Sequence, residues 1–143
     1  MTLHVRAASE ADIPAITAIY AVEVTDLVNT YETRVPDEGE MTERMRSLRQ
    51  RGFPYLVAEL DGQVAGYAYA GTYRSREAFN WTVENSVYVA AWAQGQGVGR
   101  ALLGALIQAC TQAGFRQMVA VIGEPTNTAS IVLHERFGFV HVG

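Results

Sequence analysis

The sequence predicts an α/β fold in which a mixed sheet is flanked by helices, and three features of the chain predict it. Segments of β-type patterning take turns with segments of helical spacing, giving the order β-α-α-β-β-β-α-β-α-β. Two of the strand segments meet at Asp61-Gly62, a dipeptide that tolerates the positive φ of a type I′ turn. An antiparallel hairpin is therefore embedded in a sheet whose other connections are crossovers, unlike a doubly wound sheet. Finally, no repeat, low-complexity tract or linker divides the 143 residues, so one domain spanning 1–143 is expected.

Each element has its own local reason. Residues 3–6 read as a short first strand. Ser9 and Asp12, three apart, have the form of a capping box, after which Ile13, Ile16, Ile19 and Tyr20 recur at helical spacing. Residues 25–36 lack clean periodicity and make an irregular crossing segment that contains Tyr31 and Glu32. Pro36 and Asp37 open a second helix striped by Met41, Met45 and Leu48, with Gly52 closing it. The hairpin strands are 55–60 and 63–72. A polar, aromatic-containing loop over 73–80 leads into 82–89, where alternating β-branched residues mark a central strand. Val98, Leu102, Ala105, Leu106 and Ala109 then share one helical face that ends at Gly114. Residues 117–122 form a short apolar run of buried-strand type, and Ile131, Leu133 and Phe137 belong to a helix ending at Gly138. Residues 139–142 begin one more strand.

Composition narrows the function. With 49% hydrophobic and 18% charged residues the chain is neither disordered nor a coiled coil. Eleven basic against fifteen acidic side chains give a net charge of −4, which disfavours nucleic acid and anionic membrane surfaces and leaves a small molecule as the expected partner. The single cysteine, Cys110, offers neither an intrachain disulfide nor metal-ligand spacing, so a cytoplasmic protein without a metal is expected. Arg6, Glu10 and Asp12 occupy the place of a signal-peptide core, and no apolar stretch approaches the ~18–20 residues of a membrane span.

Between the central strand and the next helix lies Gln94-Gly-Gln-Gly-Val-Gly99. Glycines at alternate positions let backbone N–H groups converge, and the following helix adds the positive end of its dipole, so such a turn can hold a diphosphate, with Arg100 as a supplement. A flexible loop before an amphipathic helix is the alternative. The string lacks the Lys-Ser/Thr ending of a Walker loop and lies in the wrong place for a dinucleotide fingerprint.

Gln94-x-x-Gly97-x-Gly99 resembles the acetyl-CoA pyrophosphate loop of the GCN5-related N-acetyltransferase (GNAT) superfamily, and Asn127-x-x-Ser130-x-x-x-His134-x-x-x-Gly138-Phe139 resembles its later motif. Residues 69–76, 80–89, 119–125 and 133–139 are most similar to the phosphinothricin and methionine-sulfoximine N-acetyltransferases within it, and the likeness spans almost the whole chain. The resemblance implies the GNAT fold and acetyl-CoA as co-substrate. It further implies that backbone groups of Val87 and Val89 pair with the pantetheine arm at a splay between strands. Gly95, Gln96, Gly97, Val98, Gly99 and Arg100, with Gln94, would surround the pyrophosphate, and Asn127 and Ser130 would hold the arm's amide end.

A glutamate on a strand rich in Val and Tyr needs a reason, because burying an unpaired charge is costly. Glu84 either faces solvent or pairs with an arginine, or it serves chemistry. An α-amine with a pKa near ~8 arrives mostly protonated, and only its free lone pair attacks a thioester, so acetyl transfer needs a base. The resemblance puts that base at Glu84 and puts His134 where a proton donor to the departing thiolate, or a second base, is expected. A lone helix histidine is otherwise a surface or core residue. Arg74 and Arg76, with Tyr73, Phe79 and Trp81 nearby, suit an acceptor with anionic groups and a methylene chain, while Tyr31 and Glu32 would close the opposite wall. An ordinary solvated loop is the alternative reading of those residues.

The expected activity is therefore direct transfer of acetyl to the amine of a small acidic amino-acid analogue, in a homodimeric enzyme. A protein or peptide N-acetyltransferase and a non-catalytic acyl-CoA-binding module are the alternatives. Relatives continue past Gly138-Phe139 into a last strand, so that strand is expected to be missing and the domain to be C-terminally incomplete.

Overall fold

Five strands lie side by side in chain order in the computed structural model, which describes residues 2–25, 34–73, 81–122 and 128–142. They are β1 (Leu3–Ala7), β2 (Tyr55–Leu60), β3 (Gln63–Thr72), β4 (Thr82–Val89) and β5 (Gln117–Val119). Every neighbouring pair is antiparallel except β4 and β5, which run parallel across a helical crossover. The helices are α1 (Ile13–Thr25), α2 (Glu38–Gln50), α3 (Val98–Gln112) and α4 (Thr128–Arg136).

The two faces of the sheet carry different side chains, because successive residues of a strand point to opposite sides. On one face Tyr55, Tyr67, Tyr69 and Tyr88 stack across strands β2, β3 and β4, and Tyr20 of α1 meets Tyr88 edge-on at 5.3 Å between ring centres. Ile16 and Ile19 of α1 and Met41 and Met45 of α2 complete that half of the core. On the other face α3 lays down Val98, Leu102, Leu106 and Cys110, spaced by four and all buried. At about 1.5–3 kcal/mol for each large apolar side chain removed from water, this stripe is a main attachment of α3. It comes this close because β3 carries Gly66: a Cβ there would stand 2.7 Å from the Tyr88 carbonyl and 3.0 Å from Leu102 and Val98.

Polar devices fix the ends of these elements. Asp12 accepts the Ser9 backbone N–H at 2.8 Å and takes both terminal nitrogens of Arg6 at 2.8 Å, while Arg6 also reaches Glu59 on β2. The guanidinium holds the Asp12 carboxyl below the usual carboxylate range. Asp37 caps α2 by accepting from the Glu40 N–H, and Gly52 (φ +85°) ends it as expected. Asp61 and Gly62 have φ of 53° and 83°, as a type I′ turn demands.

Two expectations are corrected. The strand expected over 117–122 ends at Val119, because β4, its one strand partner among the described residues, is paired through Glu84↔Val119 and no further. The strand expected over 139–142 does not form: Gly138 turns the chain at φ +88°, no described strand lies alongside, and Val140 and Val142 are 80% and 92% exposed.

Candidate active site

The point where β5 stops pairing organises the site. Strand β4 is paired to β5 only over Thr82, Val83 and Glu84, yet it stays paired to β3 as far as Val89. From Asn85 to Val89 one backbone edge of a central strand therefore has no strand against it among the described residues, and unpaired backbone groups of that kind seek a partner. Val87 and Val89, the two positions expected to hold a pantetheine arm, lie on this stretch.

The open edge leads into the glycine-rich loop. Gly95 and Gly97 have φ of 75° and 86°, a conformation costly for any other residue, and a Cβ at either would meet nothing within 4 Å. Gly97 caps α3, so the N–H groups of Val98, Gly99 and Arg100 occupy the first turn, where position denies them an intrahelical acceptor. The Val98 side chain faces the core, leaving its backbone for a ligand, whereas Arg100 is exposed beside the helix start. The two glutamines serve the loop itself: Gln94 Nε2 donates to the Val89 carbonyl at 3.2 Å and Gln96 Nε2 to the Trp92 carbonyl at 3.3 Å. Gly99 sits between Leu133 of α4 and Val89 of β4. An open-faced turn, a helix start and a vacated strand edge in continuous order fit a diphosphate joined to an extended amide arm.

Glu84 stands at the fork, half-buried, on the tyrosine face of the sheet. Among the described residues no cation pairs with it, and burial pushes its carboxyl above the usual range. His134 approaches from the opposite face, on α4, and is only 6% exposed. Its Nδ1 lies 2.7 Å from the Ser130 carbonyl and its Nε2 3.2 Å from the side-chain amide of Asn85. The Phe139 ring meets the imidazole edge-on at 5.0 Å. Glu84 and Asn85 are consecutive, so the carboxylate and the histidine's partner leave the fork on opposite sides.

Asn85 was missed by sequence reasoning. Its signal was a polar residue in the register of Val83, Val87 and Val89, an inward position that an amide occupies only with a partner. A cavity of ≈490 Å³ opens on the Glu84 face, lined by Tyr20, Tyr55, Tyr67, Tyr69, Arg44 and Leu48. On the His134 face a groove of ≈880 Å³ runs between β5, α4 and the segment after it, with Val83, Cys110, Met118 and Phe139 in its walls.

Other expected residues fall elsewhere. Trp81 is 62% exposed at the start of β4, where its carbonyl accepts from the N–H groups of Arg116 and Gln117. Ser130 contributes its carbonyl to His134. Tyr31, Glu32, Arg74, Arg76, Phe79 and Asn127 lie outside the described residues. Cys110 is a packing residue whose thiol burial pushes up to about 11, far from a reactive thiolate. Among the described residues no group of three or more His, Cys, Asp or Glu could hold a metal ion, and no helix is long and apolar enough to cross a membrane.

A sheet forked beside a glycine loop and a helix start defines the acyl-CoA-dependent N-acetyltransferases. Residues 16–139 match the Acetyltransferase (GNAT) family, and the chain belongs to that family. It is 49% identical over 139 residues to a phosphinothricin N-acetyltransferase of Alcaligenes faecalis, covering 97% of this chain and 71% of that protein. It is 42% identical over 137 residues to an L-methionine sulfoximine/L-methionine sulfone acetyltransferase of Salmonella typhimurium, covering 96% and 80%. Among solved structures, a GNAT superfamily phosphinothricin acetyltransferase from Sinorhizobium meliloti in complex with AcCoA superposes with a TM-score of 0.95 at 45% identity, covering all of this chain and 77% of that one.

Proposed function

We propose that the chain moves the acetyl group of acetyl-CoA to the amine of a small amino-acid-like acceptor of the phosphinothricin or methionine-sulfoximine type, by direct attack within a ternary complex. The observation that carries this reading is the fork itself: the unpaired edge of β4 begins at the residue after Glu84 and ends at the glycine loop. A pantetheine arm laid along Val87 and Val89, with its diphosphate on Gly95 to Arg100 under the α3 start, brings the thioester to Glu84. Asn127 and Ser130 take the amide end of the arm.

The acceptor enters from the tyrosine face. Its ammonium gives a proton to the Glu84 carboxylate, directly or through one water, and the freed lone pair attacks the thioester carbon. Collapse of the adduct breaks the C–S bond, the electron pair leaves on sulfur, and the nitrogen, cationic after its attack, sheds its second proton to the thiolate or to solvent, giving the amide. A raised carboxyl pKa suits this task, because it makes Glu84 a stronger base than an exposed glutamate. The tyrosine-lined cavity on the same face of the sheet is available for an acceptor side chain, and Arg74, Arg76, Tyr31 and Trp81 are the residues we assign to binding the acceptor's anionic and methylene groups.

The reading extends to a cytoplasmic homodimer, supported by the need for acetyl-CoA, by the lone thiol and by the exposed Val121, Val140 and Val142 beyond the β5 edge. The test of the activity is thiol release on mixing the protein and acetyl-CoA with a panel of acceptors. Turnover with phosphinate, sulfoximine or sulfone amino acids, and little with peptides or polyamines, is expected. Efficient release with peptides alone, or with no amine, overturns the proposal.

A further inference from the structure

The hydrogen bonds of His134 settle which of its nitrogens carries a proton. The Ser130 carbonyl can only accept, so Nδ1, 2.7 Å away, is the donor. If the Asn85 oxygen faced Nε2, that nitrogen would also have to carry a proton, and the ring would be an imidazolium. A cation buried to this depth, with no anion against it among the described residues, is costly. The same arrangement leaves the Asn85 Nδ2 group buried with no partner among the described residues, which is costly again. Oxygen and nitrogen of a side-chain amide exchange on a half-turn with no change of shape. That one half-turn lets Nδ2 donate to Nε2 and neutralises the ring, and it leaves a carbonyl oxygen in the unpartnered position, where an unpaired acceptor is tolerated more readily than an unpaired donor.

We propose that Asn85 is a positioning residue whose side-chain NH2 donates to Nε2 and holds His134 as the neutral Nδ1–H tautomer. The nitrogen that faces the fork then has no proton to give. His134 does not supply the proton of the departing thiolate: the sulfur leaves as the thiolate, the proton shed by the ammonium before attack resides on Glu84 until it passes to solvent, and the proton the nitrogen sheds after attack goes to the thiolate or to solvent. The bond from Nδ1 to the Ser130 carbonyl fixes the ring against its own helix, and the bond from Asn85 to Nε2 ties α4 to β4 beside the place where the thioester lies. This consequence for proton traffic rests on the acetyl-transfer reading, whereas the tautomer itself does not.

The test is a long-range ¹H–¹⁵N correlation spectrum of the full chain, labelled with ¹⁵N and recorded near neutral pH without acetyl-CoA. The His134 signals, among those of three histidines, are those absent from His134→Gln. A protonated, pyrrole-type Nδ1 with an unprotonated, pyridine-type Nε2 is expected. Asn85→Asp, which keeps the shape and replaces the donor by an acceptor, should convert both nitrogens to the protonated type. A wild-type spectrum with a proton on Nε2 overturns the proposal, and so does an unchanged His134 spectrum in folded Asn85→Asp. Should that variant fail to fold, the wild-type spectrum alone decides. Failure here leaves acetyl transfer standing, since thiol release judges that separately.

Discussion

Glu84 draws its meaning from the residues on either side of it. It is the last β4 residue held by β5, and its carboxyl is desolvated without a compensating cation among the described residues. Such a group is costly to ionise, and that cost is tolerable where the strained charge does chemistry. Glu84→Gln keeps the shape and removes the base, so turnover should fall by ~10²–10⁴-fold while acetyl-CoA affinity stays unchanged. In wild type, activity should rise as pH climbs through the raised Glu84 value, because only the carboxylate accepts a proton. The variant should lose that limb and recover as alkaline pH supplies free amine. Steady-state rates across pH, with cofactor affinity by calorimetry, check both halves.

Elements, more than individual side chains, hold the proposed cofactor site. The loop works through backbone, and the strand edge is available because β5 is short. Gly97→Asp imposes a left-handed conformation on a side-chain residue and adds a negative charge before the α3 start. Acetyl-CoA binding should weaken by more than ~1.4 kcal/mol, or tenfold, by calorimetry on the folded variant. Much of this scale was legible in the sequence: the Asp61-Gly62 hairpin, the stripe of Val98, Leu102 and Leu106, and the loop between strand and helix all stand where local pattern put them. What pattern could not show was pairing. The run over 117–122 has strand composition throughout, but a strand exists only as far as its neighbour stays beside it, and β4 parts from β5 after Glu84. The same reason undoes the strand over 139–142. Asn85 escaped because its role depends on a histidine 49 residues away, a distance no periodicity reports.

For the molecule as a whole, the sheet is a frame that separates two supplies. One face brings tyrosines, α1, α2 and Glu84, the other brings α3, α4 and His134, and the consecutive Glu84 and Asn85 join the two at the fork. The frame is pinned at its far edge by Arg6, which joins β1 to Asp12 and to Glu59 of β2. Asp12 is held below its ordinary pKa, so its contribution is present above the unfolded carboxylate range and is lost as pH falls through the folded value. Asp12→Asn should therefore lower stability by about 1–3 kcal/mol near neutrality, with the difference shrinking in acid, as thermal unfolding at several pH values would show. In the proposed reaction acetyl passes straight from acetyl-CoA to the amine at this fork, and the buried Cys110 thiol takes no part. Initial rates measured while both substrates are varied distinguish this from a covalent acetyl-enzyme route. Intersecting double-reciprocal lines, with no acetylated protein by intact mass after acetyl-CoA alone, are predicted. Parallel lines with a stable acetyl adduct on the chain would contradict it.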